Sequence, residues 1–263
     1  MPIFDTHAYF GATPFSSALA TRDSLMQTMR RTEISGIALI SALAAECDFV
    51  TGNRRLRDVI APEDGVFGWV TLNSGYSAES QEEQRRHGYR RGIVGAALFG
   101  APGRPVTLED AREILNAQRR YATPVALPVH DAEAVHQARL IAAEFPAMKF
   151  VFLTMGGEDW RMAVAAAKKH LNIYLEISGS LDTDKIAQAS AAVTPRKLLY
   201  GSGLPGGSPE LTLALVESAP TLARPDRNRI LAENAVALLR TQVQEDAAED
   251  EDGPALGYLS DAE

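Results

Sequence analysis

The sequence predicts an α/β fold, a (β/α)8 TIM-like barrel. Short apolar runs rich in β-branched residues recur along the 263-residue chain, and segments of helical length separate them. Eight such alternations of strand and helix are the number that forms a parallel barrel. Because 46% of the residues are hydrophobic, the chain can bury one large core, and we expect one folded domain.

The predicted elements alternate from one end of the chain to the other. The predicted strands are residues 3–5, 36–41, 66–72, 93–99, 125–130, 150–154, 173–177 and 197–200. The predicted helices are residues 24–31, 54–60, 80–86, 108–120, 133–144, 160–169, 184–192 and 209–218, and residues 226–240 close the fold. Thr107 with Asp110 resembles a helix-capping arrangement, and Pro146 ends a helix immediately before a strand, which supports these boundaries.

The charge of the chain is concentrated in its last residues. We divide the sequence into a barrel, residues 1–243, and an acidic tail, residues 244–263, which we expect to be disordered because it is too poor in apolar residues to pack. Residues 241–263 contain eight acidic residues and no Lys or Arg. Their combined charge of −8 equals the formal net charge of the whole chain. The predicted barrel is therefore close to neutral.

Composition also limits the partners and the compartment. A near-neutral body has no basic surplus for phosphates, so we expect neither nucleic acid nor a membrane as a partner. The single cysteine, Cys47, excludes an intrachain disulfide and suits a reducing compartment. The N-terminus has no basic stretch followed by a long apolar run, and we expect a cytoplasmic protein.

The stretch 197–209, KLLYGSGLPGGSP, is the predicted centre of the site. An apolar strand ends there in a loop of Gly, Ser and Pro, and loops at the carboxyl ends of barrel strands build active sites. The loop itself has no charged side chain. Chemistry at this end therefore depends on side chains from other strands.

Three side chains at strand ends could exchange protons. His7 ends the first strand, and Tyr9 projects to the same side because side chains alternate along a strand. His130 ends the fifth predicted strand, and Asp131 beside it is predicted to be a helix N-cap. Glu176 alternates with its neighbours so that it faces the barrel interior, where a carboxylate must be either hydrogen-bonded structure or an acid with a perturbed pKa.

The histidines allow a structural interpretation as well as a functional one. A lone histidine at the position of His7 is about as often a hydrogen-bonded structural residue as a functional one. His87 and His170 fall in helical or loop segments, and we expect both to face solvent. His136 follows Glu133 by three residues on a helix, a spacing that more often forms a surface pair than a metal site.

Several motifs resemble one known family. The opening FDTHAYFG is similar to the Asp-x-His-x-His start of the amidohydrolase-related metal-dependent hydrolases. FPAMKFVFLTMGGEDW, KLLYGSGLPGGSPE and RNRILAENAVALL resemble the second half of that family. The resemblance implies a distorted (β/α)8 barrel, whose typical members bind a divalent metal and hydrolyse amide, lactone or ester bonds, or decarboxylate aromatic acids.

This chain has the family's functional residue at only one of the matching positions. The family's first histidine matches His7. The other functional positions of the family fall on residues that do not bind metals well: Tyr9, Ala97, Pro128, Thr154 and Gly203. Because a zinc site needs at least three protein ligands, the resemblance implies a degenerate metal centre, and we expect no metal and no other cofactor.

Three functions stay open at this point. The first is a non-hydrolytic assembly or regulatory member that pairs with itself or with a related barrel. The second is a metal-independent or weakly metal-dependent hydrolase or lyase of small carbonyl compounds, and the third is a module that binds a small ligand. The candidate catalytic residues are His7, His130 and Glu176, and the candidate substrate-binding residues are Tyr9, Thr154, Ser178 and Ser202.

Overall fold

The computed structural model describes residues 2–13, 16–101, 103–179 and 182–241. Its sheet has nine strands, of which eight are parallel and β2 is antiparallel to β1. In chain order the strands are β1 (Phe4–Thr13), β2 (Ser16–Ala20), β3 (Gly36–Ser41), β4 (Val66–Asn73), β5 (Ile93–Phe99), β6 (Val125–Pro128), β7 (Phe150–Leu153), β8 (Ile173–Glu176) and β9 (Leu198–Leu199).

The sheet closes on itself between its first strand and its last. The backbone N–H of Thr6 donates to the Tyr200 carbonyl at 3.0 Å, and that of Gly203 donates to the His7 carbonyl at 2.8 Å. A parallel bridge also pairs Ala8 with Leu204. These contacts confirm the predicted α/β barrel.

Helices follow the strands and cover the barrel. They are α1 (Arg22–Arg31), α2 (Ala42–Glu46), α3 (Phe49–Arg57), α4 (Ser77–His87), α5 (Leu108–Gln118), α6 (Ala132–Glu144), α7 (Trp160–Lys169), α8 (Thr183–Val193), α9 (Pro209–Ser218), α10 (Arg224–Asn228) and α11 (Asn234–Leu239). The predicted caps are present, because the side chain of Thr107 accepts from the N–H of Asp110 and that of Asp131 accepts from the N–H of Ala134.

Side chains alternate between the inside and the outside of the barrel. On β3, Ala38 and Ile40 belong to the inner cluster, whereas Ile37 and Leu39 pack outward against the helices. Ala232, Ala235 and Leu239, from the segment that follows α10, pack with inner residues of the strands. The C-terminal helices therefore cover the end of the barrel at which the strands begin, and the other end is left for the site.

Two predicted elements and one predicted surface residue were wrong. The first strand continues to Thr13, and β2 pairs with it antiparallel. Two helices, α2 and α3, lie between β3 and β4, where a single helix over residues 54–60 was predicted. His87 is buried rather than solvent-facing, and its Nε2 lies 3.3 Å from Oε2 of the buried Glu83. A charged partner on the same helix makes that burial tolerable.

The predicted acidic tail, residues 244–263, lies outside the described residues. Its predicted disorder, and the boundary at residue 243, stay predictions. Within the described part of the chain, no helix has the length and apolar character that crossing a bilayer requires.

Candidate active site

The carboxyl ends of four barrel segments bring polar side chains together. His7 comes from β1, Thr154 follows β7, Glu176 ends β8, and Ser202 lies in the loop after β9. His7, Glu176 and Ser202 are buried. Their convergence places a polar cluster at the end of the barrel where this fold carries its active sites.

His7 and Glu176 form a hydrogen-bonded dyad. His7 Nδ1 lies 2.8 Å from Glu176 Oε2, and the two side chains are 3% and 0% exposed. Because a carboxylate only accepts hydrogen bonds, Nδ1 carries the proton in this contact. The other ring nitrogen, Nε2, is buried and has no hydrogen-bond partner among the described residues. The dyad therefore leaves one imidazole nitrogen free to exchange a proton.

Glu176 is held by several donors besides His7. Ser178 Oγ donates to Oε2 at 2.8 Å, and the backbone N–H of Thr154 donates to the same oxygen at 3.0 Å. The backbone N–H of Ser178 donates to Oε1. Hydrogen bonds to a carboxylate favour its charged form, so these contacts offset the cost of burying it.

The segment after β7 has an unusual backbone. Four consecutive residues, from Thr154 to Gly157, have positive φ angles. A positive φ is sterically costly for a β-branched residue such as Thr154, whose φ is 62°. This geometry aims the N–H of Thr154 at Glu176, and Thr154 Oγ1 donates to the Val129 carbonyl at 2.8 Å.

Asp5 is a buried member of the cluster that the sequence analysis did not select. Its Oδ1 accepts from the backbone N–H groups of His7 at 3.1 Å and Ser202 at 3.0 Å, while Oδ2 has no partner among the described residues. Burial, partly offset by hydrogen bonds from Ser202, raises the pKa of Asp5 to about 6. Its proximity to His7 in the Asp-Thr-His sequence was the only available signal.

The remaining candidates lie around the dyad. The rings of Tyr9 and His7 meet edge to face with centroids 5.2 Å apart, and burial raises the pKa of Tyr9 above its ordinary value. Ser202 Oγ accepts from the N–H of Leu204 at 3.1 Å, so this hydroxyl also orders the loop.

His130 lies at the edge of the cluster rather than within the dyad. Its side chain is exposed, and its Nδ1 lies 3.3 Å from Thr154 Oγ1. Partial desolvation and the nearby His7 lower the pKa of His130. Among the described residues His130 makes no hydrogen bond to His7 or Glu176. Of the three predicted catalytic residues, only His7 and Glu176 are therefore in direct contact.

A family model matches a range of the chain that contains this polar cluster. The amidohydrolase family model matches residues 4–241. The chain belongs to the amidohydrolase family. No curated protein sequence matches this amidohydrolase.

Solved structures share its fold at low sequence identity. A 2,6-dihydroxybenzoate decarboxylase from Rhizobium has a TM-score of 0.70 and 16% identity, covering 90% of this chain and 99% of that one. A dihydroxybenzoic acid decarboxylase from Polaromonas sp. with bound manganese has a TM-score of 0.68 and 16% identity, covering 90% and 97%. Amidohydrolase 2 from Bifidobacterium longum subsp. infantis has a TM-score of 0.64 and 14% identity, covering 92% and 100%.

The described residues of this amidohydrolase do not fit a metal centre of the kind the family implies. No three His, Cys, Asp or Glu side chains among them converge closely enough to hold a metal ion. Asp5 and His7 each have an unpartnered atom, but Glu176 Oε2 already accepts from His7, Ser178 and Thr154. A structural or catalytic zinc site takes three or four protein ligands, so the donor set is too small.

Proposed function

We propose that this amidohydrolase uses the dyad of His7 and Glu176 for metal-independent acid–base chemistry on small carbonyl compounds. The observation that carries the proposal is the 2.8 Å contact between His7 Nδ1 and Glu176 Oε2, which leaves Nε2 without a partner. A base oriented by a carboxylate on its other nitrogen is a recurring arrangement in hydrolytic sites.

The proton transfers follow from this arrangement. In the neutral ring Nδ1–H donates to Glu176, and Nε2 takes a proton from water as the water oxygen bonds to the carbonyl carbon. The imidazolium then gives that proton to the leaving oxygen or nitrogen as the bond between this atom and the carbonyl carbon breaks. Glu176 stabilises the imidazolium between the two steps.

Local charge favours a neutral lactone, ester or amide over an aromatic acid. Asp5 and Glu176 lie in one cluster, and no Arg or Lys is among their hydrogen-bonding partners in the described residues. A carboxylate substrate would meet acidic groups without a cation to hold it. The decarboxylases among the solved structures share the fold, at identities too low to transfer their substrates.

The test is turnover in chelator by wild-type protein and two variants. The substrates are a panel of lactones, esters, amides and aromatic acids. We expect turnover of a neutral substrate in EDTA, and we expect His7→Ala and Glu176→Gln each to lower kcat/KM by about 10²–10⁴-fold. The double variant should lose little more than either single variant, because the two residues act as one unit.

Two controls accompany the test. His136→Ala removes an exposed histidine on α6 and should leave turnover unchanged. Thermal midpoints show whether each variant is folded. Equal turnover in His7→Ala, or activity that disappears in EDTA and returns with manganese, would contradict the proposal, and turnover of aromatic acids alone would assign a lyase instead.

A second function has its own support. The shortage of metal-binding side chains and the 2% exposure of His7 favour a non-hydrolytic assembly or regulatory member. In that case the chain pairs with itself or with a related barrel and retains the fold for binding. Absence of turnover across the panel, together with an oligomer in solution that persists in His7→Ala, would support this function over the first.

A further inference from the structure

A second candidate site lies at the opposite end of the barrel. A cavity of about 450 Å³ is located where the strands begin, and four basic residues line it: Arg119, Lys149, Arg196 and Arg240. Among the described residues that line it there is no Asp or Glu. Cavities of this size accommodate small organic ligands.

The four cations come from different parts of the chain. Arg119 directly follows α5 and Arg240 directly follows α11, while Lys149 precedes β7 and Arg196 precedes β9. Cations at helix C-termini are stabilised by the helix dipole, which accounts for Arg119 and Arg240. That effect does not account for Lys149, which lies at the start of a strand.

These four cations lack the carboxylate partners that eight arginines elsewhere in the protein have. The arginines at positions 22, 31, 57, 85, 86, 91, 112 and 229 all lie within 4.0 Å of a carboxylate. Arg119, Lys149, Arg196 and Arg240 make no side-chain hydrogen bond or ion pair with any described residue. A cluster of positive charges around a concave surface attracts anions.

The positive charges also act on one another. Lys197, half-buried beside the cavity, lies 4.6 Å from the ring centroid of Tyr174, which lines the cavity. Burial and the nearby Lys149 lower the pKa of Lys197 to about 8. An anion in the cavity would relieve this repulsion.

The cavity wall suits a ligand with an organic body. Met148 and Leu238 supply apolar surface, and Tyr174 adds an aromatic side chain to the lining. Thr123 also lines the cavity, and its hydroxyl oxygen accepts from Gln118 Nε2 at 3.1 Å. We infer that this cavity binds a small organic anion with two or more negative charges, through phosphate or carboxylate groups.

The inference is tested by calorimetric titration of the full chain with pyrophosphate and, separately, with citrate. We expect saturable binding at one site per chain for at least one probe, and the stronger probe identifies phosphate or carboxylate chemistry. Arg196→Ala and Lys149→Ala should each weaken binding about tenfold, since each removes a charge-assisted contact. Added salt should weaken it further.

Two variants serve as controls. Arg55→Ala removes an exposed arginine from α3 that makes no ion pair with a described residue and does not line the cavity, so it should leave the affinity unchanged. The second variant replaces the six acidic residues of 245–252 by Gln or Asn, and its affinity should equal that of the wild type.

Three results would overturn the inference. They are no saturable binding of either probe in the millimolar range, equal weakening in Arg55→Ala, and at least tenfold tighter binding in the tail variant. The last result would mean that the acidic segment of the chain occupies the cavity.

Discussion

Glu176 depends on a neighbouring residue that has no side chain. A Cβ at Gly201 would lie 2.3 Å from Glu176 Oε1 and 2.6 Å from its carboxyl carbon. The carboxylate is fully buried and held by donors from two segments, so it has little freedom to move. The glycine in the loop after β9 therefore sets the position of a side chain on β8.

We predict that Gly201→Ala displaces Glu176 and destabilises the protein. Forcing an extra carbon into a packed site costs about 1–3 kcal/mol, which should appear as a thermal midpoint several degrees lower. Gly206→Ala is the matched control in the same loop, because its Cβ would meet nothing closer than 3.6 Å. A Gly201→Ala variant as stable as Gly206→Ala would show that the carboxylate adapts.

Asp5 makes the stability of the protein depend on pH. Burial raises its folded-state pKa from 3.8 to about 6, so the folded protein binds this proton more tightly than the unfolded chain. The stability that Asp5 contributes is therefore fully present below about pH 4 and is lost as the pH rises to about 6, by about 3 kcal/mol.

The measurement is the free energy of unfolding of wild-type protein and Asp5→Asn at pH 4 and pH 7. Asparagine keeps an acceptor oxygen for the N–H groups of His7 and Ser202 but does not ionise. From pH 4 to pH 7 the free energy of unfolding of Asp5→Asn should therefore rise by about 3 kcal/mol relative to that of the wild type. Asp184→Asn, on the exposed start of α8, should follow the wild type. Parallel curves for Asp5→Asn and wild type would show that the pKa of Asp5 is not raised in the folded protein, because a raised pKa makes the wild type lose stability between the two pH values.

Among the elements, α3, β4 and α4 are joined by one buried side chain. Asn53 Nδ2 donates to the Thr71 carbonyl at 2.8 Å and to Glu83 Oε2 at 3.0 Å, and Asn53 Oδ1 accepts from the N–H of Thr71 at 2.8 Å. Glu83 is in turn paired with His87 and Arg86. This network orients two helices on one strand and explains why a charged residue is buried on α4.

We predict that Asn53→Ala costs about 2–4 kcal/mol, because it leaves a buried backbone N–H and part of a buried carboxylate without partners. Chemical denaturation with a constant m-value would measure this change. Asn116→Ala, at an exposed position on α5, is the control and should change stability little. Equal effects of the two variants would mean that water replaces the lost hydrogen bonds.

At the scale of the whole molecule, the barrel separates two kinds of charge. Acidic and imidazole groups converge where the strands end, and four cations with no ionic partner in the described part of the chain surround a cavity where the strands begin. Strand β8 links both ends, because Tyr174 lines the cavity and Glu176 belongs to the dyad. The two sites can therefore be tested independently, one by turnover and one by anion binding.

The sequence by itself determined the fold class and most element positions. Helices α7 and α9 have the predicted bounds, and the N-caps Thr107 and Asp131 act as predicted, because periodicity and capping depend on residues close together in the chain. The misplaced helix near α3 lies in a region whose pattern is interrupted by several short elements. The family resemblance was confirmed by the match over residues 4–241.

Only the tertiary structure decided which of the candidate residues act together. His7 and Glu176 are 169 positions apart, and alternation predicted that Glu176 faces inward without identifying its partner. Asp5 and the four cations of the cavity gave no distinctive local pattern. Local patterns record which side of an element is buried, whereas the pairing of buried polar groups is set by how strands distant in sequence align in the closed barrel.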